Sequence, residues 1–380
     1  MKAVYQLWGL TRPRRDWDTL IKKIERIQDR HPGAALVCGP DAPAEVYERI
    51  RAAARAKGSL LYLWLPVFSE WDGLAAFDPL IDHTGNAFLQ NADLPDGFRF
   101  RCPQSARNRD IFYAESLKRL EAVPFDGVFL DRIRFPSFQF GLKGALCCFC
   151  EKCREKYRSM GFDPDRLANA CEALEERVRR GGDDPLGLIG FDGSRWELRD
   201  PDLKALFDLR CAVITDSIRD LGGRYREKGY GIGLDLFTPA IGYFTGQDLR
   251  SLAPLADFVK PMLYLHTLAP AGLPYELDVT NSALGGGTKE RILDLCGADD
   301  AGSLAAREIT FIRERIPGAA VFCGMEINRV RDLAPVGPDE IRRTLSVFKA
   351  AVAEGVMPSW SFLSAPDENI SALLDGLKEF

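Results

Sequence analysis

The 380-residue sequence has no excess of basic charge, no long apolar run and no internal linker rich in Gly, Pro or Ser. Its 50 Lys and Arg residues are interspersed with 55 Asp and Glu residues, which gives a formal charge of -5 and no basic stripe for a phosphate backbone. We therefore expect no binding to nucleic acid. No segment approaches the roughly 20 apolar residues of a membrane-spanning helix, so we also expect no attachment to a membrane.

The N-terminus has no recognisable secretory signal. Its apolar stretch covers only about eight residues, is followed by Arg12, Arg14 and Arg15, and lacks a small-residue cleavage site. We expect a cytoplasmic protein, in which thiols stay reduced and clustered cysteines indicate a metal site rather than disulfides. The sequence leaves open whether copies of the chain form a homo-oligomer.

Eight short runs of apolar, β-branched or aromatic residues recur along the chain, and each is followed by turn residues and a helical 3.6-residue period. The predicted strands cover 3–8, 35–38, 60–64, 127–131, 231–235, 258–264, 320–326 and 357–362. The predicted helices cover 15–30, 43–57, 107–122, 201–228, 247–255, 288–316, 338–354 and 367–379. Eight such alternations predict a single α/β domain over 1–380, a closed (β/α)8 TIM barrel, with an open doubly wound sheet as the alternative.

The spacing of the predicted strands shows where the extra length of the chain lies. Units three, four and six are oversized, and most of the excess falls between strand and helix, at 68–106, 135–200 and 265–287. In a barrel of this kind, such loops all emerge at the C-terminal ends of the strands, where active sites are built. We therefore predict a walled cleft there, with 135–200 as an inserted loop and helical region.

Three acidic residues close predicted strands: Asp131, Asp235 and Glu326. Each one alone could be a helix cap or the partner of a nearby cation. Together at one end of a barrel, they favour glycoside chemistry, because carboxylates can transfer a proton and stabilise an oxocarbenium-like centre. Asp131 is followed closely by Arg132 and Arg134, so we expect it to stay ionised as nucleophile or charge stabiliser. Glu326 or Asp235, whose pKa desolvation could raise, is the predicted general acid.

Side chains that could bind a sugar lie near the same strand ends. Aromatic faces stack on the apolar faces of sugar rings, and cations, hydroxyls and imidazoles can hydrogen-bond to sugar hydroxyls. The predicted substrate-binding residues are Trp8, Trp64, Arg134, Lys260, Tyr264, His266 and Trp360.

A cysteine cluster lies in the enlarged fourth loop. Cys148, Cys150 and Cys153 have C-x-C-x2-C spacing, and Cys102 lies in the preceding enlarged loop. Three thiolates from one short segment and a fourth from a neighbouring loop can complete a closed, tetrahedral zinc site, which would be structural. An iron–sulfur cluster would use the same ligand type, but nothing else in the sequence indicates redox chemistry. Cys147 is a spare thiol beside the cluster.

Two segments resemble known families. Residues 125–136, with Asp131 followed by an Arg-aromatic-Pro step, resemble the strand-four signature of glycoside hydrolase families with (β/α)8 barrels. The 148–153 segment, with Tyr157 after it, resembles the zinc loop of Cys-rich barrel β-galactosidases, whose fourth ligand also comes from the preceding long loop. The chain departs from those enzymes at strand four, where their acid is a Glu after an Asn. The resemblance implies sugar hydrolysis and bound zinc.

Two other functions remain open at this stage. A metal-dependent lyase or aldolase could use the three carboxylates around a divalent ion, with Lys260 as an electrophile or Schiff-base amine. A non-catalytic saccharide-binding barrel could keep the cleft while its acid pair is misplaced. The sequence favours a glycoside hydrolase over both.

Overall fold

The computed structural model of the protein describes residues 2–8, 16–69, 77–88, 99–359, 362 and 364–379. Its strands are β1 (Lys2–Gln6), β2 (Ala35–Cys38), β3 (Leu61–Pro66), β4 (Gly127–Asp131), β5 (Leu188–Phe191), β6 (Trp196–Leu198), β7 (Gly231–Leu236), β8 (Phe258–Pro261), β9 (Cys323–Glu326), β10 (Arg329–Val330), β11 (Ala334–Pro335) and β12 (Gly355–Ser359). Eight of them form a nearly closed parallel barrel in the order β8-β7-β4-β3-β2-β1-β12-β9. The predicted (β/α)8 TIM barrel is therefore confirmed, and all eight predicted strands are present with small shifts at their ends.

Fourteen α-helices surround this barrel in the described part of the chain. They are α1 (Trp17–Arg30), α2 (Ala44–Ala56), α3 (Ala106–Ala122), α4 (Gly141–Ala145), α5 (Glu151–Ser159), α6 (Pro164–Arg180), α7 (Pro201–Glu227), α8 (Pro239–Gly242), α9 (Leu249–Leu252), α10 (Leu273–Leu284), α11 (Thr288–Cys296), α12 (Ala301–Arg315), α13 (Pro338–Ala350) and α14 (Asp367–Gly376). The prediction of one helix over 288–316 is wrong. Gly297, with a φ of 66°, ends α11 in the left-handed conformation, and Asp300 caps α12 by accepting from the Ser303 amide at 2.7 Å.

Alternate residues of the barrel strands point inward and fill the ring with large side chains: Val4, Val37, Tyr62, Trp64, Phe129, Phe258 and Met357. Gly233 leaves room for two of these rings, because a Cβ there would lie 2.4 Å from Phe258 Cζ and 2.7 Å from Phe129 Cδ2. The same alternation directs Asp131 and Lys260, each two residues further along its strand, into the ring at its C-terminal end. We call this end of the barrel the mouth.

The barrel closes between β8 and β9. These two strands are joined by two isolated bridges, Val259 with Val321 and Met262 with Gly324, whereas the other neighbouring pairs of barrel strands form continuous ladders. Lys260 lies between the two bridges. Gly324 accommodates it, because a Cβ at position 324 would lie 2.9 Å from Lys260 Cε.

The chain makes its long excursions at the mouth, between β3 and α3, between β4 and α7, and between β8 and α12. The second excursion, residues 132–200, holds α4 to α6 and the antiparallel pair β5 and β6. It reaches across the barrel rim, since Trp196 Nε1 donates to the Ala240 carbonyl at 2.7 Å and Arg291 Nε donates to the Leu188 carbonyl at 3.1 Å. Within the described ranges, no helix has the length and apolar character needed to cross a bilayer.

Candidate active site

A buried ion pair lies inside the mouth. The register of β7 and β8 places Asp235 opposite Lys260, and Lys260 Nζ donates to Asp235 Oδ2 at 2.8 Å. The same ammonium donates to Gln6 Oε1 at 3.0 Å and lies 5.6 Å from the centre of the Phe129 ring and 5.2 Å from that of Tyr264. The Lys260 and Asp235 side chains are 1% and 3% exposed. The barrel interior therefore holds two charges that compensate each other.

Each partner favours the charged form of the other. Burial raises the pKa of Asp235 to about 7, opposed by Lys260 and reinforced by the negative charge of Asp131. Burial disfavours the ammonium of Lys260, but Asp235 and Tyr264 overcome this and raise the pKa of Lys260 overall. Loss of the Asp235 proton places an anion 2.8 Å from a buried cation, which favours the charged pair over a neutral acid beside an uncompensated ammonium.

Asp131 lies beside this pair, because the ladder of β4 and β7 joins Leu130 to Leu234 immediately before the two aspartates. Trp64 Nε1 donates to Asp131 Oδ2 at 3.0 Å. Burial raises the pKa of Asp131, and the Lys260 charge, the Arg132 amide, the Arg134 charge and Trp64 oppose this rise. Cations and donors thus surround this carboxylate and favour its ionised form.

Arg132, the residue after Asp131, has a φ of 53°. A left-handed conformation is strained in a non-glycine residue, and residues of this kind cluster at functional sites. The Arg132 guanidinium lies 5.9 Å from the centre of the Trp64 ring, and its Nη1 donates to Ser69 Oγ at 3.3 Å. The regular strand conformation thus ends directly after the carboxylate.

Glu326 has a different environment on the same rim. Its Oε1 accepts from the His266 amide and from Thr267 Oγ1, while its Oε2 has no hydrogen-bond partner among the described residues. The side chain is buried, and burial raises the pKa of Glu326 to about 7. The groups that oppose this rise are all uncharged: backbone amides at 265, 266 and 326, and the Thr267 hydroxyl. Glu326 can therefore stay protonated without leaving a neighbouring cation uncompensated, unlike Asp235, which is paired with Lys260.

Several predicted sugar-binding residues reach the mouth. Trp64 and Tyr264 are only 3% and 2% exposed, so neither presents an open ring face. Trp64 donates a hydrogen bond to Asp131, and the ring of Tyr264 lies next to the Lys260 ammonium. Arg134 is 4% exposed, with its guanidinium 4.9 Å and 4.5 Å from the centres of two phenylalanine rings. These residues line the inner end of the site.

Two predicted sugar-binding side chains do not point into the mouth. Trp8 is fully buried outside the barrel, where its ring packs at 5.1 Å against Trp17 and at 6.0 Å against Tyr47, and its Nε1 donates to Asp41. The assignment of Trp8 as a stacking platform is therefore corrected to a packing role.

His266 reaches the site through its backbone only. Its amide binds Glu326, whereas its Nε2 lies 3.2 Å from Thr344 Oγ1 on α13, so the imidazole is directed away from the mouth. Trp360, the remaining predicted platform, lies outside the described residues.

Sequence reasoning missed two polar residues of the site. Gln6 holds Lys260 from β1, and its inward position two residues beyond Val4 is the signal that could have identified it. Glu276, 2% exposed in the first turn of α10, has its pKa raised by burial, and the charge of Arg134 opposes this rise. An acid in the first turn of a helix is common, so the sequence around Glu276 carried no signal of this electrostatic interaction.

The four predicted cysteine ligands come together. Cys102 Sγ lies 3.5 Å from Cys150 Sγ and 3.6 Å from Cys153 Sγ, and the sulfurs of these residues and Cys148 all lie within 4.8 Å of one another. An ion with metal–sulfur bonds of about 2.3 Å in a tetrahedron would hold its sulfurs about 3.8 Å apart. The cluster could therefore hold a metal ion. Within the described ranges, no other His, Cys, Asp or Glu side chains converge in this way.

The neighbours of the cluster support this geometry. The Ile81 amide donates to Cys148 Sγ at 3.3 Å, as expected for a thiolate ligand with a second-sphere donor. Cys147 is directed elsewhere and donates to the Gly144 carbonyl at 3.0 Å. The cluster ties the excursion after β3 to the excursion after β4.

A parallel eight-stranded barrel with carboxylates at its mouth is a fold shared with glycoside hydrolases. No protein-family model and no curated protein sequence matches the chain. Among solved structures, it is similar to the glycoside hydrolase domain of PgaB (BpsB) from Bordetella bronchiseptica, with a TM-score of 0.56, 14% identity, and coverage of 99% of this chain and 97% of that one. It is also similar to the β-galactosidase of the psychrophilic Marinomonas ef1, with a TM-score of 0.57, 12% identity, and coverage of 100% and 59%. At these identities, the similarity shows a shared barrel fold.

Proposed function

We propose that the protein is a glycoside hydrolase, with Glu326 as general acid and Asp131 as nucleophile or charge stabiliser. The observation that carries this proposal is the contrast between the two carboxyl environments at one mouth. Asp131 is surrounded by cations and donors, whereas Glu326 is buried with one unpaired oxygen and only uncharged neighbours. Glycosidic cleavage needs one carboxylate kept charged and one carboxylic acid kept protonated.

The ion pair favours Glu326 over Asp235 as the acid. Asp235 is bound to Lys260 at 2.8 Å, so its charge serves the pair and its proton is not available to a leaving group. In this proposal, the positive charge of Lys260 favours the ionised form of Asp131, and Asp235 balances part of that charge. Glu326 is left as the acid.

Carbohydrate is the proposed substrate, and the glycoside hydrolase neighbours of the fold support it. We also propose that the ion bound by the cysteine cluster is zinc, because four thiolates in a closed tetrahedron are typical of structural zinc sites. When bound, zinc would cross-link two excursions of the chain and take no part in the chemistry. Its reduced thiols suit the cytoplasm, which we retain as the proposed location.

The lyase or aldolase alternative is less well supported. A Schiff base requires a neutral amine, whereas its neighbours raise the pKa of Lys260 despite burial. Asp131, Asp235 and Glu326 also do not converge as a metal-binding group among the described residues. The other alternative is a barrel that binds sugar without cleaving it, and the following experiment distinguishes it from a hydrolase.

The test is a screen of chromogenic glycosides with the wild-type protein, Asp131→Asn and Glu326→Gln. We expect wild-type turnover of at least one glycoside and a loss of about a thousandfold or more in kcat for Asp131→Asn. Glu326→Gln should lose most activity on glycosides with poor leaving groups and little on those with good ones, since only the former need an acid. Sugar binding without turnover, unchanged by Asp131→Asn, would replace the hydrolase by a binding function.

A further inference from the structure

A hydrogen-bonded bridge of three side chains, which we call the polar bridge, crosses the interior of the barrel. Lys260 Nζ donates to Gln6 Oε1 at 3.0 Å and to Asp235 Oδ2 at 2.8 Å. In the order of the barrel strands, three strands separate β1, which carries Gln6, from β7, which carries Asp235, in either direction around the ring. The two acceptors therefore belong to opposite sides of the ring, and Lys260 joins them across it.

The polar bridge follows the aromatic packing inside the ring and forms the inner end of the mouth. Gln6 lies two residues beyond the inward-pointing Val4, in the direction of the mouth. Lys260 lies two residues beyond the inward-pointing Phe258, and its ammonium is 5.6 Å from the centre of the Phe129 ring. A molecule that reached the bottom of the mouth would therefore meet this bridge rather than the rings below it.

Lys260 fixes the orientation of the Gln6 amide. An ammonium has only N–H donors, so it can bind the carbonyl oxygen of an amide but not its NH2 group. Oε1 must therefore face Lys260, and Nε2, which is attached to the same carbon, is directed away from the ammonium. Among the described residues, the Gln6 side chain makes no other hydrogen bond. Two N–H donors are thus held in one orientation without a protein partner.

Gln6 is also the most exposed member of the polar bridge. It is 6% exposed, whereas Lys260 is 0% and Asp235 is 2% exposed. Polar groups that are buried to this degree are normally hydrogen-bonded, because an unpaired donor has lost its bonds to water without replacement. An oxygen atom of a bound ligand would supply the missing acceptor.

We infer that Gln6 is a substrate-binding residue: its Nε2 donates to a hydroxyl of the sugar at the inner end of the mouth, and Lys260 holds the amide in that orientation. This inference rests on the proposed function. Because Asp235 balances the charge of Lys260, the polar bridge offers an uncharged amide donor to an uncharged hydroxyl oxygen. The contact would make Gln6 a determinant of which sugar the protein accepts.

Two substitutions separate the binding of substrate from the support of Lys260. Gln6→Glu keeps an acceptor oxygen for Lys260 and replaces the NH2 group by a second oxygen, which beside an ammonium is ionised and can only accept. Gln6→Met has a similar length and removes both polar groups. Both variants therefore lack the donor, whereas only Gln6→Met lacks the acceptor for Lys260.

Gln28 offers a matched control. It is a buried glutamine on α1, it is 1% exposed, and its Nε2 also has no hydrogen-bond partner among the described residues. Because α1 lies outside the ring of strands, Gln28→Met makes the same chemical change away from the mouth.

The experiment measures kcat/KM for a glycoside that the wild type cleaves and for its monodeoxy analogues, each of which lacks one hydroxyl of the sugar. We expect the loss of one particular hydroxyl to lower the wild-type kcat/KM about tenfold or more, because it leaves a buried donor unpaired. In Gln6→Met and Gln6→Glu, the loss of the same hydroxyl should change kcat/KM less than about threefold, since the contact is already absent. Gln28→Met should keep the wild-type pattern.

The inference is overturned, and the hydrolase left standing, if every deoxy analogue has the same relative kcat/KM in the wild type and in the Gln6 variants. A wild-type pattern in Gln6→Glu alone has the same meaning, because Gln6 would then only support Lys260. If Gln6→Met does not fold, Gln6→Glu carries the comparison.

A wild type that binds a sugar but cleaves no glycoside removes the hydrolase and not the inference. The comparison is then made with dissociation constants of that sugar and its monodeoxy analogues, measured by titration calorimetry, and the same two patterns support or overturn the role of Gln6. A wild type that neither cleaves nor binds any of the sugars removes both proposals.

Discussion

Lys260 Nζ lies 2.8 Å from Asp235 Oδ2 inside the barrel, with both side chains almost fully withdrawn from solvent. Removal of one partner of such a pair leaves a buried charge without compensation, whereas removal of both does not. The pair therefore distinguishes Asp235, whose charge stabilises the fold, from Glu326, which is the general acid of the proposed function.

Asp235→Asn should lower the free energy of unfolding at pH 8, above the raised pKa of Asp235, by about 3 kcal/mol, because it leaves the Lys260 ammonium buried alone. At pH 6, Glu326→Gln should lower the free energy of unfolding by about 1 kcal/mol or less, since it replaces a neutral acid by a neutral amide. Urea denaturation measures both values. The Asp235→Asn/Lys260→Met double variant is the control and should recover most of the loss. Equal, small effects of the two single substitutions would contradict the charged pair.

Activity should fall as the pH rises through about 7. Burial raises the pKa of Glu326 to about 7, and a general acid is inactive once it has lost its proton. The pH profile of kcat/KM, measured with a poor leaving group, should therefore show a basic limb near pH 7. With a good leaving group, Glu326→Gln should remain active and lack this limb. A limb that persists in Glu326→Gln would assign the acid to another residue.

The free energy of unfolding should also depend on pH in this range. The pKa of Glu326 is raised from its usual value of 4.5 to about 7 in the folded protein, so the native state binds more protons than the unfolded chain between these values. The stabilisation of the folded state by protonated Glu326 is complete below pH 4.5 and is lost as the pH rises through 7. The difference in unfolding free energy between wild type and Glu326→Gln should therefore shrink across this window and stay constant above about pH 8. A difference that is independent of pH would contradict the raised pKa.

The protein should contain one zinc ion per chain, detected by elemental analysis of material purified without chelator. Cys153→Ser removes a ligand from the cluster, so we expect loss of zinc and a lower Tm, since the binding free energy of a structural metal contributes to folding. Cys147→Ser alters the adjacent thiol, which is directed to the Gly144 carbonyl, and should keep the full zinc content. Equal zinc content in both variants, or none in the wild type, would remove the metal site.

Gly324→Ala should weaken both stability and turnover. A Cβ at this position would lie 2.9 Å from Lys260 Cε and 3.0 Å from the Pro261 carbonyl, so the ion pair must shift. We expect a loss of about 1 to 3 kcal/mol in unfolding free energy, as for other overpacked interiors, together with a lower kcat. Gly286→Ala is the control, because it lies on the surface and a Cβ there meets nothing within 4 Å. Matching effects of the two substitutions would argue against the close packing of Lys260.

The barrel and part of its mouth could be predicted because the alternation of residues along each strand shows which side chains point inward. Phe129 and Asp131, or Phe258 and Lys260, alternate with a period of two, so an inward ring implies an inward polar group at the next alternate position. Helix ends were less predictable. The break at Gly297 depends on one left-handed residue within an otherwise helical pattern.

The remainder of the site depends on contacts that no local pattern encodes. Trp8 lies beyond the last residue of β1, so the alternation no longer governs its direction and it packs against α1 and α2 instead. His266 contributes a backbone amide, which every residue except proline has. The assignment of a single domain over 1–380 with an inserted region at 135–200 stays a prediction.

The junction between β8 and β9 gives the barrel one compliant side. Lys260 and Glu326 lie on opposite edges of this junction, whereas the strands of Asp131 and Asp235 are fastened by an unbroken ladder. Thermal motion of the strands should therefore change the distance between Glu326 and Asp131 more than the distance between Asp131 and Asp235. In the proposed hydrolase, the separation between Glu326 and Asp131 would then be the dimension of the active site that adapts most easily to the glycosidic bond.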